Sequence, residues 1–183
     1  REVLVHELTH LLNRRALGPH VPPWLEEGMA EDLAFSRIDA DGTIVPGSWG
    51  GSTDQRGYLV GAGGGARFVG SVSGSLAALA RLVSIWQKPQ RPELELLTRL
   101  PWQVLADAET RRTLYAESAI LLRFLLDASG DETAARVRAF LATFARGDVA
   151  ADAIWTEIGV SPEELEEPVY LWMRRQANAQ GIL

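Results

Sequence analysis

The 183-residue chain contains no cysteine. Disulfide frameworks, thiolate metal sites and cysteine nucleophiles are therefore excluded, and any metal must be held by nitrogen and oxygen ligands. The lack of cysteine does not fix the compartment, because many exported proteins also lack it. Basic residues are the minority: 18 Lys and Arg stand against 24 Asp and Glu, for a net charge of −6. No basic stripe is present to neutralise phosphates, so nucleic acid is not an expected partner. No hydrophobic run is long enough to cross a bilayer. The apolar stretch 68–80 is rich in Gly and Ser and is closed by Arg81. No signal peptide is visible, and Arg1 opens directly into a helical pattern without a cap. The expectation is a piece of a longer protein.

What is present is ordinary for a folded domain. The hydrophobic fraction is 46% and the charged fraction 23%, at a length that can bury a sizeable core. Residues 1–17 read as a helix, with Leu4, Leu8, Leu11 and Leu12 at helical spacing, stopped by Gly18-Pro19. Pro22-Pro23 opens a second helix that is expected to run to about Ser36. Residues 37–75 form a Gly-rich loop region, with short strands expected at Ile44-Val45, 58–60 and 67–69. Its Gly61-Ala62-Gly63-Gly64-Gly65-Ala66 run has no strand-turn-helix context, so it reads as flexible loop rather than a dinucleotide site. From 76 onward the chain is helical, in segments 76–87, 93–99, 101–107, 111–128, 131–146 and 150–158. Residues 113–126 are apolar nearly all round, which predicts a buried central helix ending near Gly130. Ser161-Pro162-Glu163-Glu164 is a capping box for the last helix, with a break or kink expected at Pro168. The fold class is mainly α: a helix pair, then the loop region, then a helical subdomain over 76–183, all as one domain.

Chemistry concentrates in His6-Glu7-Leu8-Thr9-His10. Residues four apart on a helix are separated by roughly 40° about its axis, so both imidazoles can reach one ion. Glu7 lies one position on, within reach of a water at that ion. This is the His-Glu-x-x-His pattern of zinc metallopeptidases. A catalytic zinc needs a third protein ligand and an open position. His20 does not fit the metzincin spacing and reads as a connector residue. Glu27, early on the second helix and reached by a short connector, is the best third ligand. Glu31 follows one turn later, where it can accept the second ring hydrogen of a ligating histidine. Trp24, Trp86, Trp102, Trp155 and Trp172 lie among aliphatic residues and read as core, whereas Trp49 in the Gly-rich region could line a cleft. Glu163, Glu164, Glu166 and Glu167 read as a solvated helix face.

Residues 24–31, Trp-Leu-Glu-Glu-Gly-Met-Ala-Glu, together with the histidine motif, resemble the gluzincin metallopeptidases. The resemblance is greatest to the peptidase MA-like proteins related to the aminopeptidase N and leukotriene hydrolase catalytic domains. It implies a gluzincin-like catalytic domain whose upstream sheet is absent from this chain. It also implies Zn2+ held by His6, His10 and Glu27, with Glu7 as general base. The third ligand it implies is Glu27 rather than Glu26. Members carry a tyrosine at the start of a buried helix, and the run from Tyr115 to Leu125 is similar to that context. The family's tyrosine stabilises the oxyanion, which implies that role for Tyr115. The expected substrate is a peptide or protein, cut from an end or internally. An interaction module in which zinc is structural, a domain that has lost its activity, and hydrolysis of a non-peptide substrate are the alternatives. Ala, Arg and Leu are abundant, which suggests a bacterial source, and related proteins are often exported, which implies an extracytoplasmic site.

Overall fold

The computed structural model describes residues 2–34, 36–38, 40–45, 58–60, 67–69, 74–87, 93–103, 107–147, 150 and 152–183. Trp49 and the glycine run at 61–66 lie outside the described residues. The described part is mainly helical. In chain order it holds α1 (Glu2–Leu17), α2 (Pro23–Ala34), β1 (Arg37–Ile38), β2 (Ile44–Val45), β3 (Tyr58–Val60), β4 (Arg67–Val69) and α3 (Gly74–Trp86). Then follow α4 (Leu94–Arg99), α5 (Ala108–Asp127), α6 (Asp131–Phe144), α7 (Ala153–Ile158) and α8 (Pro162–Ala179). The strands make two antiparallel ladders, β1 with β2 and β3 with β4.

Local chemistry explains where the site-bearing helices begin and end. Gly18 stops α1 at φ +82°, a left-handed position that costs glycine little. Pro22 then caps α2: its carbonyl accepts the N–H groups of Leu25 and Glu26, each at 3.1 Å. Pro23 at the first helical position has no N–H to leave orphaned. The helix ends at Ala34, earlier than expected, and Ser36 closes a turn onto the Leu33 carbonyl.

α5 is the buried centre. Leu114, Ile120, Leu121, Leu122, Phe124 and Leu125 on it are almost fully enclosed. It packs against α2, α3, α6 and α8. Its start corrects the sequence reading. Of the segment 101–107, the described residues show no α-helix: Trp102 and Gln103 lie in a 3₁₀ turn, and Asp107 caps α5, accepting the Thr110 N–H at 2.6 Å. A capping aspartate competes with helix continuation, because its side chain replaces the backbone partner. The capping box at Ser161 and Glu164 forms as read. Pro168 does not end α8, which continues through it to Ala179. Glu166 is not simply solvated: its Oε1 accepts the Leu94 N–H at 2.9 Å, serving the open start of α4.

The position of α2 over α5 decides where the site can form. Arg123 on α5 donates to Asp32 on α2 at 2.8 Å, and its Nε reaches Asp127 at 2.7 Å. Burial pushes the Asp32 carboxyl up, and the Arg123 charge opposes that rise. α1 packs on α2, with Thr9 and Asn13 buried and the two histidines partly buried. Its leucines face the other way: Leu4, Leu8, Leu11 and Leu12 are 50–73% exposed. Their regular spacing therefore marks an open face of α1, not its packed face.

Candidate metal centre

The site forms where α1 and α2 cross. His6 and His10 are one turn apart on α1, and their Nε2 atoms are 3.0 Å from each other. Glu27 on α2 brings its Oε2 to 3.4 Å from His6 Nε2 and 3.5 Å from His10 Nε2. These three atoms make a small triangle of donors. A tetrahedral zinc with bonds of about 2.0–2.1 Å separates its ligand atoms by about 3.3 Å. The triangle's edges fit that requirement. Glu27 is 2% exposed, and its Oε2 faces the two histidine Nε2 atoms. A buried carboxylate oxygen facing two ring nitrogens favours positive charge between them. The residues present therefore fit a metal ion, and His6, His10 and Glu27 could hold it.

The opposite ring nitrogens are also addressed. His6 Nδ1 lies 3.2 Å from Glu31 Oε1. His10 Nδ1 lies 3.0 Å from Glu26 Oε1. With each Nδ1 hydrogen given to a carboxylate, each Nε2 keeps its lone pair for a metal. The density of acid around His6 favours its charged form. Its pKa is raised to about 10, by hydrogen bonds to Glu27 and then Glu31, against the opposing effect of burial. In chemical terms, the carboxylates of α2 create a place for positive charge at Nε2, which a proton or a metal ion can fill.

Tyr115, at the start of the buried part of α5, stands beside this centre. Its ring is 5.6 Å from the His6 ring, tilted by 37°. Burial, and next the negative charge of Glu27, push its hydroxyl up to about 12. At neutral pH it is a hydrogen-bond donor, not a phenolate. Glu7 is exposed and shares one cleft with His10, Leu11, Arg14, Glu26, Glu27 and Trp102. The cleft has a volume of about 240 Å³.

The structure thus brings His6, Glu7, His10, Glu27, Glu31 and Tyr115 to one place. His20 is exposed in the connector and does not join them. Trp24, Trp86 and Trp172 are buried as read, and Trp155 stacks on Trp24 with ring centroids 5.3 Å apart. Trp102 departs from that reading. It is 40% exposed and lines the cleft, because residues 101–103 do not continue a packed helix. Sequence reasoning also gave Glu26 no role. The available signal was the run Glu26, Glu27 and Glu31, three acids on one helix facing two histidines with two nitrogens each. No family model, no curated protein and no solved structure matches the chain.

Proposed function

We propose that this chain carries the catalytic centre of a zinc-dependent peptidase that hydrolyses peptide bonds with a water molecule as nucleophile. The observation that carries the reading is the donor triangle of His6, His10 and Glu27, with Glu7 in the cleft beside it. Tyr115 supports it, with its ring 5.6 Å from the His6 ring. The resemblance of residues 1–36 to gluzincin metallopeptidases agrees with the same roles.

A bound zinc ion would supply a Lewis acid that polarises the scissile carbonyl and makes a water more acidic. The chain's own residues do the rest. Glu7 accepts a proton from the attacking water, whose oxygen adds to the carbonyl carbon. Negative charge grows on the former carbonyl oxygen. Tyr115 donates its hydroxyl hydrogen there, and its raised pKa keeps that hydrogen in place. Glu7 then returns its proton to the amine nitrogen as the carbon–nitrogen bond breaks. Leu11 and Trp102 line the cleft beside these groups and offer apolar contact to a neighbouring substrate side chain.

The test is metal content and turnover of the parent and two variants. The parent should bind about one zinc and cut a peptide library. Glu7→Gln should keep the zinc and lose turnover, and Glu27→Ala should lose the zinc. Near-normal hydrolysis by Glu7→Gln would remove Glu7 from its role.

One observation favours the alternative, an interaction module with a structural metal. The open leucine face of α1 is the kind of apolar patch that partners cover. A chelator separates the two readings. A catalytic domain loses activity and stays folded, whereas a structural-zinc module unfolds.

A further inference from the structure

The proposed chemistry uses Glu27 and Glu31 but leaves Glu26 unexplained. Glu26 is 5% exposed, and acidic side chains are seldom so buried without a partner. Two groups stand near its Oε1. Arg14 Nε is 3.8 Å away, but the Arg14 side chain is 69% exposed, and ion pairs of that kind contribute little. His10 Nδ1 is at 3.0 Å, a hydrogen-bond distance, and its side chain is largely buried. The imidazole is therefore the partner that accounts for the carboxylate.

We propose that Glu26 is the positioning residue for His10: it accepts the Nδ1 hydrogen, fixes the ring's orientation, and so presents Nε2 to the metal. This rests on the metal-site reading above. Adjacent residues on a helix point about 100° apart, and residues one turn apart point nearly together. α2 uses both relations. Glu26 and Glu27, adjacent, bracket His10 at Nδ1 and Nε2, at 3.0 and 3.5 Å. Glu27 and Glu31, one turn apart, bracket His6 at Nε2 and Nδ1, at 3.4 and 3.2 Å. Each ring thus has its own orienting acid, and both share Glu27. The hydrogen bond to Glu26 also holds the carboxylate against α1, away from the nitrogen that binds the ion. Glu26 is a positioning group and does not touch the substrate's reacting atoms.

The experiment is zinc affinity, measured by competition with a chromophoric chelator, for the parent, Glu26→Gln, Glu26→Ala and Arg14→Ala. Loss of an orienting partner weakens metal binding by about 10–100-fold, and Glu26→Ala should fall in that range. In Glu26→Gln the amide oxygen can still accept the Nδ1 hydrogen, so most of the affinity should return. Arg14→Ala should change it by less than about fivefold. The second readout is the His10 Nδ1–H resonance in nuclear magnetic resonance spectra of the zinc-loaded protein. It should be protected from exchange in the parent and in Glu26→Gln, and lost in Glu26→Ala. Parent-like affinity in a folded Glu26→Ala would overturn the proposal. So would a Glu26→Gln variant as weak as Glu26→Ala, which would make the charge, not the hydrogen bond, the active feature. If Glu26→Ala does not fold, loss of the protected signal in Glu26→Gln overturns it. The readings fail separately: zinc binding without peptide hydrolysis sinks the peptidase and leaves the role of Glu26 standing. A parent that binds no zinc overturns both.

Discussion

A Cβ placed on Gly28 would lie 2.8 Å from the carbonyl oxygen of Ser118. α2 and α5 meet there backbone to backbone, one residue after Glu27. Glycine inside a helix normally costs about 1 kcal/mol relative to alanine. Here that cost allows the close approach, since the opposing atom is backbone and cannot swing aside. Overpacking of this kind costs about 1–3 kcal/mol. Gly28→Ala should therefore destabilise the fold, lowering the melting temperature by roughly 2–12 °C for a chain of this size. It should also displace Glu27 and weaken zinc binding. A thermal melt with a zinc titration checks both, and a melting temperature at or above the parent's would remove the packing argument.

Glu7 and Tyr115 are expected to separate cleanly in kinetics. General-base assistance contributes about 10²–10⁴-fold, so Glu7→Gln should lower kcat within that range at unchanged zinc content. Tyr115→Phe removes a donor that acts when charge develops, which costs about 10²–10³-fold in kcat with KM little changed. Neither substitution removes a metal ligand or opens a large cavity. A rise in KM at constant kcat in Tyr115→Phe would mean that the hydroxyl binds substrate and not the developing oxyanion.

The histidine motif was legible because its geometry is set within one helix: His6 and His10 must share a face whatever the tertiary fold. The buried character of α5 was legible for the same reason, from apolar residues on all sides. Glu26 was not legible. It and Glu27 are neighbouring acids in one helical turn, and only the angle of α2 across α1 decides which meets Nε2 and which meets Nδ1. The leucines of α1 show the limit of periodicity. Their spacing identifies a face but does not say whether that face is packed. Trp102 was misread because capping by Asp107 starts α5 afresh and leaves Trp102 at the edge of the cleft.

Trp102 leads to a third expectation. Its indole is part exposed beside Leu11, on the same cleft as Glu7 and His10. It is not one of the donors of the candidate metal centre, so Trp102→Ala should leave zinc content and fold intact. Losing an apolar contact to substrate is worth about 1–3 kcal/mol, or roughly 10–200-fold in kcat/KM, for peptides with a bulky side chain beside the scissile bond. Peptides with glycine or alanine there should be nearly unaffected. Equal loss for both sets would place Trp102 outside substrate recognition.

The last expectation concerns stability away from the metal. Glu117 on α5 is 3% exposed, and burial raises its pKa from 4.5 to about 8. The Trp86 indole N–H opposes this rise, and the charge of Glu166 adds to it. The unfolded chain releases this proton near 4.5, and the folded chain holds it until about 8. Between those values the folded state binds more protons than the unfolded state, so stability falls as pH rises. The contribution is fully present below the lower value and lost above the upper one. A gap of one pH unit between the two states is worth about 1.4 kcal/mol, which puts the total at a few kcal/mol. Glu117→Gln stays neutral at every pH and should lack this slope. Urea unfolding at pH 5 and pH 9 isolates it, because the other titrating groups are common to both proteins. The variant should resemble the parent at pH 5 and exceed its stability at pH 9. Parallel pH profiles for the two proteins would mean that Glu117 is already ionised in the fold, with its charge held by Trp86.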